Sequence, residues 1–298
     1  MESTVITSLR NIELAVTDLD RSVQFYSEAW GLQPVSSDGG IVHLRARAAE
    51  HHVVTLKAAK APGLVGITLA TRDKDCVDSL YDKAKSASIT IENEPIPLPE
   101  CAGGGYGFTM IGPEGLRVSI SSAVKEWQTS FGDVTTPYKL THVVLNSEDT
   151  ASQCGFFVDV LGFRLSDSTQ RMEFLRCGQD HHTIAIAHGT NLSLNHAAFE
   201  LPDIDALMYG AGRLAEHGYN VEWGLGRHGP GNNVFSYFID PDGFAIEYTC
   251  DMQQVDEDVF QPQDANYWAA FPKRPCRWGM ARKPSDRLIA SMSGRVNG

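Results

Sequence analysis

Gly226-Arg-His-Gly-Pro-Gly-Asn-Asn-Val-Phe-Ser-Tyr-Phe-Ile-Asp-Pro-Asp-Gly-Phe-Ala-Ile-Glu-Tyr248 sets two short apolar runs on either side of a turn. Asp240-Pro-Asp-Gly243 is the turn, because proline presets φ near about −65° and glycine accepts positive φ. The runs Val234-Phe-Ser-Tyr-Phe and Phe244-Ala-Ile-Glu-Tyr are β-branched and aromatic, the composition of a hairpin's strands. Glu247 stands in the middle of the second run. A carboxylate buried in a sheet needs a compensating partner, and a metal ion is one candidate.

Two histidines upstream occupy similar settings. Leu140-Thr-His-Val-Val-Leu145 places His142 in an apolar strand, and Leu194-Asn-His-Ala-Ala-Phe-Glu-Leu201 places His196 in another. Two imidazoles and one carboxylate from three strands make a facial triad, which leaves coordination positions open on Fe(II) or Mn(II).

The order and spacing of several motifs then add up. They are Thr-His-Val, the pair His181-His182 before Thr183-Ile-Ala-Ile, Asn-His-Ala-Ala, Gly-Arg-His, Ser-Tyr-Phe and the glutamate of Ala-Ile-Glu-Tyr. Over residues 8 to 250 the pattern resembles type I extradiol ring-cleaving dioxygenases of the vicinal oxygen chelate superfamily. The resemblance implies an α+β fold of two tandem modules. Each would be a pair of βαβββ units forming a cup-like mixed sheet. It also implies Fe(II), with Mn(II) as the alternative, and a catecholic substrate cleaved with both atoms of O2. His182 would manage protons at the oxygen site, and His228 and Tyr237 would flank the substrate oxygens. Alternation along a strand lets only one of His181 and His182 face the cup. The family pattern selects His182.

An internal repeat supports the tandem arrangement. Glu50-His-His-Val-Val-Thr-Leu56 echoes Asp180-His-His-Thr-Ile-Ala-Ile186, and Ile111-Gly-Pro-Glu-Gly-Leu-Arg-Val-Ser119 echoes Ile239-Asp-Pro-Asp-Gly-Phe-Ala-Ile-Glu247. Helices are predicted over Lys74 to Ala87 and Ile204 to His217. Residues 1–124 read as a module without metal and 137–255 as the catalytic module. Residues 256–298 read as a tail that covers the active site in some relatives, and Lys125 to Thr136 as the linker. In the first half Glu13 is expected at the position of His142, a residue near Val65 at that of His196, and Ser119 at that of Glu247. The strand framework therefore does not demand the triad. His51 and His52 read as packing residues; His43, His188 and His217 read as surface or turn residues.

Three further residues are substrate-binding candidates. Asn146 shares the strand face of His142, although helix entry explains it more simply. Arg274 and Arg277, among the aromatics of the tail, suit an anionic ring substituent, or a surface ion pair.

At 298 residues and a net charge of −12, the chain has room for two modules and lacks the basic surface that nucleic acid or an anionic membrane wants. Six scattered cysteines without C-x-x-C spacing, and a start without a secretory pattern, suggest a cytoplasmic protein. Homo-oligomerisation follows from the resemblance alone. Two rivals remain. One is a glyoxalase- or epimerase-type lyase or isomerase of the same fold, which generally shares its ligands between modules. The other is a small-molecule binding protein, which needs no triad.

Overall fold

The computed structural model describes residues 5–129, 133–271 and 276–295. The first half runs β1 (Ile6–Val16), α1 (Leu19–Gln24), β2 (Gln33–Asp38), β3 (Ile41–Arg45), β4 (Val54–Ala58), β5 (Gly63–Thr71), α2 (Lys74–Ser86), β6 (Thr90–Pro97), β7 (Tyr106–Ile111) and β8 (Arg117–Ser122). The second repeats that order: β9 (Lys139–Ser147), α3 (Thr150–Gly155), β10 (Arg164–Ser168), β11 (Met172–Arg176), β12 (Ile184–His188), β13 (Ser193–Glu200), α4 (Ile204–Glu216), β14 (Trp223–Arg227), β15 (Val234–Ile239) and β16 (Ala245–Cys250). Two tail helices follow, α5 (Ala265–Ala269) and α6 (Asp286–Met292).

Each half is an open mixed sheet of eight strands. The orders are β2-β3-β4-β1-β5-β8-β7-β6 and β10-β11-β12-β9-β13-β16-β15-β14, the same sequence of neighbours twice. This is the α+β, tandem cup-like architecture expected from the sequence. The long helices form where aspartate caps them: Asp73 accepts from the Cys76 N–H and Asp203 from the Ala206 N–H. Their buried faces, Val77, Leu80 and Ala84 on α2 and Leu207, Ala211 and Leu214 on α4, join one continuous core. Even the single π-turn is duplicated, at Phe25–Ala29 and Phe156–Val160.

The halves are held by crossed hairpin turns. The turn between β15 and β16 reaches into the first half. There Asp242 accepts from the Thr17 N–H at 2.8 Å and from the Ser22 hydroxyl at 2.6 Å, while Asp240 accepts from the Tyr26 hydroxyl at 2.9 Å. In return Glu114, between β7 and β8, accepts from the Ser147 hydroxyl and from the Glu148 N–H. Gly243 turns the first hairpin at a φ of 91°. Between the turns, Trp30 stacks on Tyr248 at 3.8 Å, and Tyr248 donates to the Trp30 carbonyl at 2.5 Å. Fully burying such a ring contributes on the order of 3 kcal/mol.

The tail wraps the second half. Glu257 takes a bidentate bond from Arg176, and Gln263 bridges to Asp167. Cys276, Ala281 and Leu288 pack with Phe235, Tyr237 and Ile239 on one face of β15. No helix among the described residues is long and apolar enough to cross a membrane. All six cysteines are free.

Candidate metal centre

His142, His196 and Glu247 lie on β9, β13 and β16, three adjacent strands. Ala198 of β13 is registered against His142 on one side and Glu247 on the other. His196 lies two residues before Ala198 in unbroken register, so strand alternation puts it on the shared face. Glu247 Oε2 is 3.2 Å from His196 Nε2 and 3.5 Å from His142 Nε2. The three donor atoms lie within 4.8 Å of one another, and all three residues are buried.

These residues fit a divalent ion. The spacings suit donors meeting one ion at bonds of about 2.0–2.2 Å. Glu247 Oε2 is buried with no well-aimed hydrogen-bond partner among the described residues, a costly state for a carboxylate oxygen without a cation. Burial works to raise the Glu247 carboxyl, but the two imidazoles outweigh it and hold the group well below the usual carboxylate range. Burial lowers His196, against the pull of Glu247. Neutral imidazole and ionised carboxylate are the states a metal requires.

The other predicted residues surround the triad. The ring of His182 lies 4.3 Å from that of His142, and burial holds it well below the ordinary histidine range. His228 Nε2 is 3.1 Å from the Tyr237 hydroxyl, which is itself 3.5 Å from His196 Nε2. Burial pushes His228 down to about 4, and burial with the Glu247 charge raises Tyr237 well above its ordinary value. From Val144 the same face continues as an apolar floor of Phe174, Ala185, Ala187 and Met172. The small alanines leave the floor flat.

Asn146 does not point freely into the cup. It donates to the Ser193 hydroxyl and the Met292 carbonyl and accepts from Asn195, whose own Oδ1 is 2.8 Å from His196 Nδ1. Helix entry belongs to Asp149 instead, which caps α3. Arg277 is exposed and donates to Asn232 in the loop after His228. Arg274 lies outside the described residues.

Sequence reasoning missed Asn195, and also Asn233, which donates to Glu247 Oε1 and Thr249. Asn195 directly precedes a ligand, but only the bulge between Leu194 and His196 turns it onto the ligand's side, and no residue pattern announces that bulge.

Two expectations for the first half need correction. Ile12 pairs with Val54 as Val143 pairs with Ile184, so Asn11, not Glu13, stands at the position of His142. Connections between strands differ in length in the two halves, so the offset between repeats is larger at β1 than at β8 and a single offset misplaces the residue. By the same reading Gly66 replaces His196 and Ser119 replaces Glu247. His43 is buried rather than superficial, because it lies on β3 with its ring 4.4 Å from that of His52.

Comparison with known proteins accords with this geometry. The family model of the Glyoxalase/Bleomycin resistance protein/Dioxygenase superfamily matches residues 8–120 and again 139–248. A solved structure, the Mn(II)-bound glyoxalase from Novosphingobium aromaticivorans, is 36% identical and superposes with a TM-score of 0.88 over 96% of this chain and 94% of that one. Metapyrocatechase 2 of Cupriavidus necator is 36% identical over 122 residues, a match spanning 40% of this chain and 38% of that protein. Biphenyl-2,3-diol 1,2-dioxygenase of Metapseudomonas furukawaii is 26% identical over 84% of this chain and 88% of its own. The chain belongs to the Glyoxalase/Bleomycin resistance protein/Dioxygenase superfamily.

Proposed function

We propose, from that membership, that the chain is an extradiol dioxygenase that opens a catecholic ring beside its vicinal hydroxyls and incorporates both atoms of O2. The observation that carries the reading is a metal-competent triad ringed by His182, His228 and Tyr237 and flanked by an apolar floor. The named dioxygenases among its relatives support it. Residues 137–255 would be the catalytic module and 1–124 the supporting one.

Fe(II), or Mn(II) as in the similar Novosphingobium structure, would be held by His142, His196 and Glu247. It would supply a template for two vicinal oxygens and a redox path to O2.

The chain's own side chains do the rest. The floor of Val144, Ala185 and Ala187 excludes water and accepts the ring face. Tyr237, kept protonated, donates to a deprotonated substrate oxygen, while His228 orients the Tyr237 hydroxyl. His182 is neutral, so its imidazole takes a proton from a substrate hydroxyl and returns it where an oxygen–oxygen bond breaks.

The glyoxalase name of the Novosphingobium structure favours a second reading, a metal-dependent lyase or isomerase without redox chemistry. Anaerobic loading with Fe(II), then mixing with catechols in aerated buffer, separates the two. One O2 consumed per catechol with a yellow ring-opened product is the expected result. Tight metal binding with no oxygen uptake on any catechol gives the site to the lyase or isomerase.

A further inference from the structure

His181, the histidine the triad does not use, is fully buried beside His182. Its Nδ1 is 3.1 Å from His182 Nδ1, and its Nε2 is 3.0 Å from Asp167 Oδ2. The other Asp167 oxygen accepts the backbone N–H of Gln263 at 2.7 Å. The tail closes this arrangement: the His181 backbone N–H donates to the Gln253 carbonyl, and Phe260 stands 6.1 Å from the His181 ring. Asp167 is 3% exposed, so its carboxylate is committed to these two partners.

The first half supplies a control. His51 and His52 keep the same contact, Nδ1 to Nδ1 at 3.0 Å. The position of Asp167, opposite Phe174, corresponds to Ser36, opposite His43. Ser36 donates instead to the Cys101 carbonyl, so His51 has no carboxylate behind it there. The paired histidines therefore belong to the framework, whereas the aspartate occurs only in the half that carries the triad.

We infer that Asp167 and His181 are positioning residues that fix the tautomer of His182. A carboxylate that accepts at both oxygens demands an N–H from His181 Nε2. In this inference His181 carries one ring proton, on Nε2; its bare Nδ1 can only accept, so His182 must donate from its Nδ1. His182 Nε2 is left with a free lone pair on the triad side, the form that takes a proton before giving one. That last role rests on the dioxygenase reading; the tautomer does not.

Asp167→Asn makes the inference sharp. The Gln263 N–H holds the amide oxygen, so the amide NH2 faces His181 Nε2. Donor replaces acceptor, every bond in the row reverses, and His182 carries its proton on Nε2. The same aspartate-to-asparagine swap in a serine protease triad leaves the geometry intact and imposes the wrong histidine tautomer. The test is 15N–1H correlation of the histidine rings in the full chain loaded with diamagnetic zinc. The Nδ1–H form of His182 in the wild type and the Nε2–H form in the variant are expected. In the Fe(II)-loaded chain the variant should keep its metal content and KM, with turnover lower by about 10²–10⁴-fold.

A wild type already in the Nε2–H form, or a variant with the wild-type tautomer, overturns the inference. The wild-type spectrum decides even if the variant does not fold. A reversed tautomer in a chain that consumes no O2 leaves the relay standing and removes the dioxygenase reading.

Discussion

The same eight-stranded sheet occurs twice in this chain, and position by position the second copy differs where chemistry would sit. His142, His196, Glu247, Tyr237 and His228 stand where the first half has Asn11, Gly66, Ser119, Thr109 and Leu98. The floor differs as much. Val144, Ala185 and Ala187 correspond to Glu13, Thr55 and Lys57, and Glu13 is engaged by Lys57 and by Arg117, which also grips Glu92. One face is apolar beside a metal-competent triad; the other is crossed by ion pairs. Two equal frameworks thus show what folding requires and what it leaves to function.

Turning a ligand into its counterpart should break the comparison most completely. Glu247→Ser, the residue of the first half, removes the one anionic donor. Metal content measured on the purified chain should fall to background, and turnover by more than the 10–100-fold that losing an outer partner typically causes. His182→Ala sharpens it, because His182 is the member of the set that both halves keep. Metal should stay bound while turnover drops by about 10²–10⁴-fold. Wild-type rates across several catechols would take proton transfer away from His182.

The smallest effect concerns the joint between the halves. Burial above all, opposed by the Phe244 N–H and the Tyr26 hydroxyl, pushes Asp240 up to about 7, against about 3.9 in an unfolded chain. Its contribution to stability is then complete below about pH 4 and is lost as pH rises through 7. Asp240→Asn should flatten that loss. Thermal unfolding followed from pH 5 to pH 8 should show the wild type falling by a few degrees more than the variant, and parallel curves would clear Asp240 of the effect.

Much of this architecture is legible in the residues alone. The hairpin, the repeat and the two capped helices declare themselves through local chemistry: Asp-Pro-Asp-Gly, alternating apolar residues, aspartate before an apolar periodicity. His142, His196 and Glu247 stand out as polar residues inside apolar runs. What stays hidden depends on separation in sequence or on bulges. A single repeat offset puts Glu13 at the place of His142, because connections of unequal length in the two halves make the true offset drift along the chain. His43 reads as superficial since nothing near it in sequence shows that His52 and Thr55 cover it. The Asp167–His181 contact joins residues 14 apart across two strands, and the tail seals it from 96 residues away. Arg277 reads as a substrate contact or a surface ion pair, and its bond to Asn232 joins residues 45 apart in sequence.

The crossed turns carry a consequence of their own. Asp242 holds the entry to the first half's opening helix, and Glu114 holds the entry to the second's. A clasp of that kind is indifferent to whether its two sides share a covalent backbone. Mechanically the molecule is a pair of like subunits that happen to be spliced end to end. A symmetric pair made of separate chains must alter both partners whenever it alters one. Here the splice lifts that constraint: one member can specialise in chemistry while its twin is reduced to ballast and brace. That asymmetry is open only to a pair whose members are encoded together.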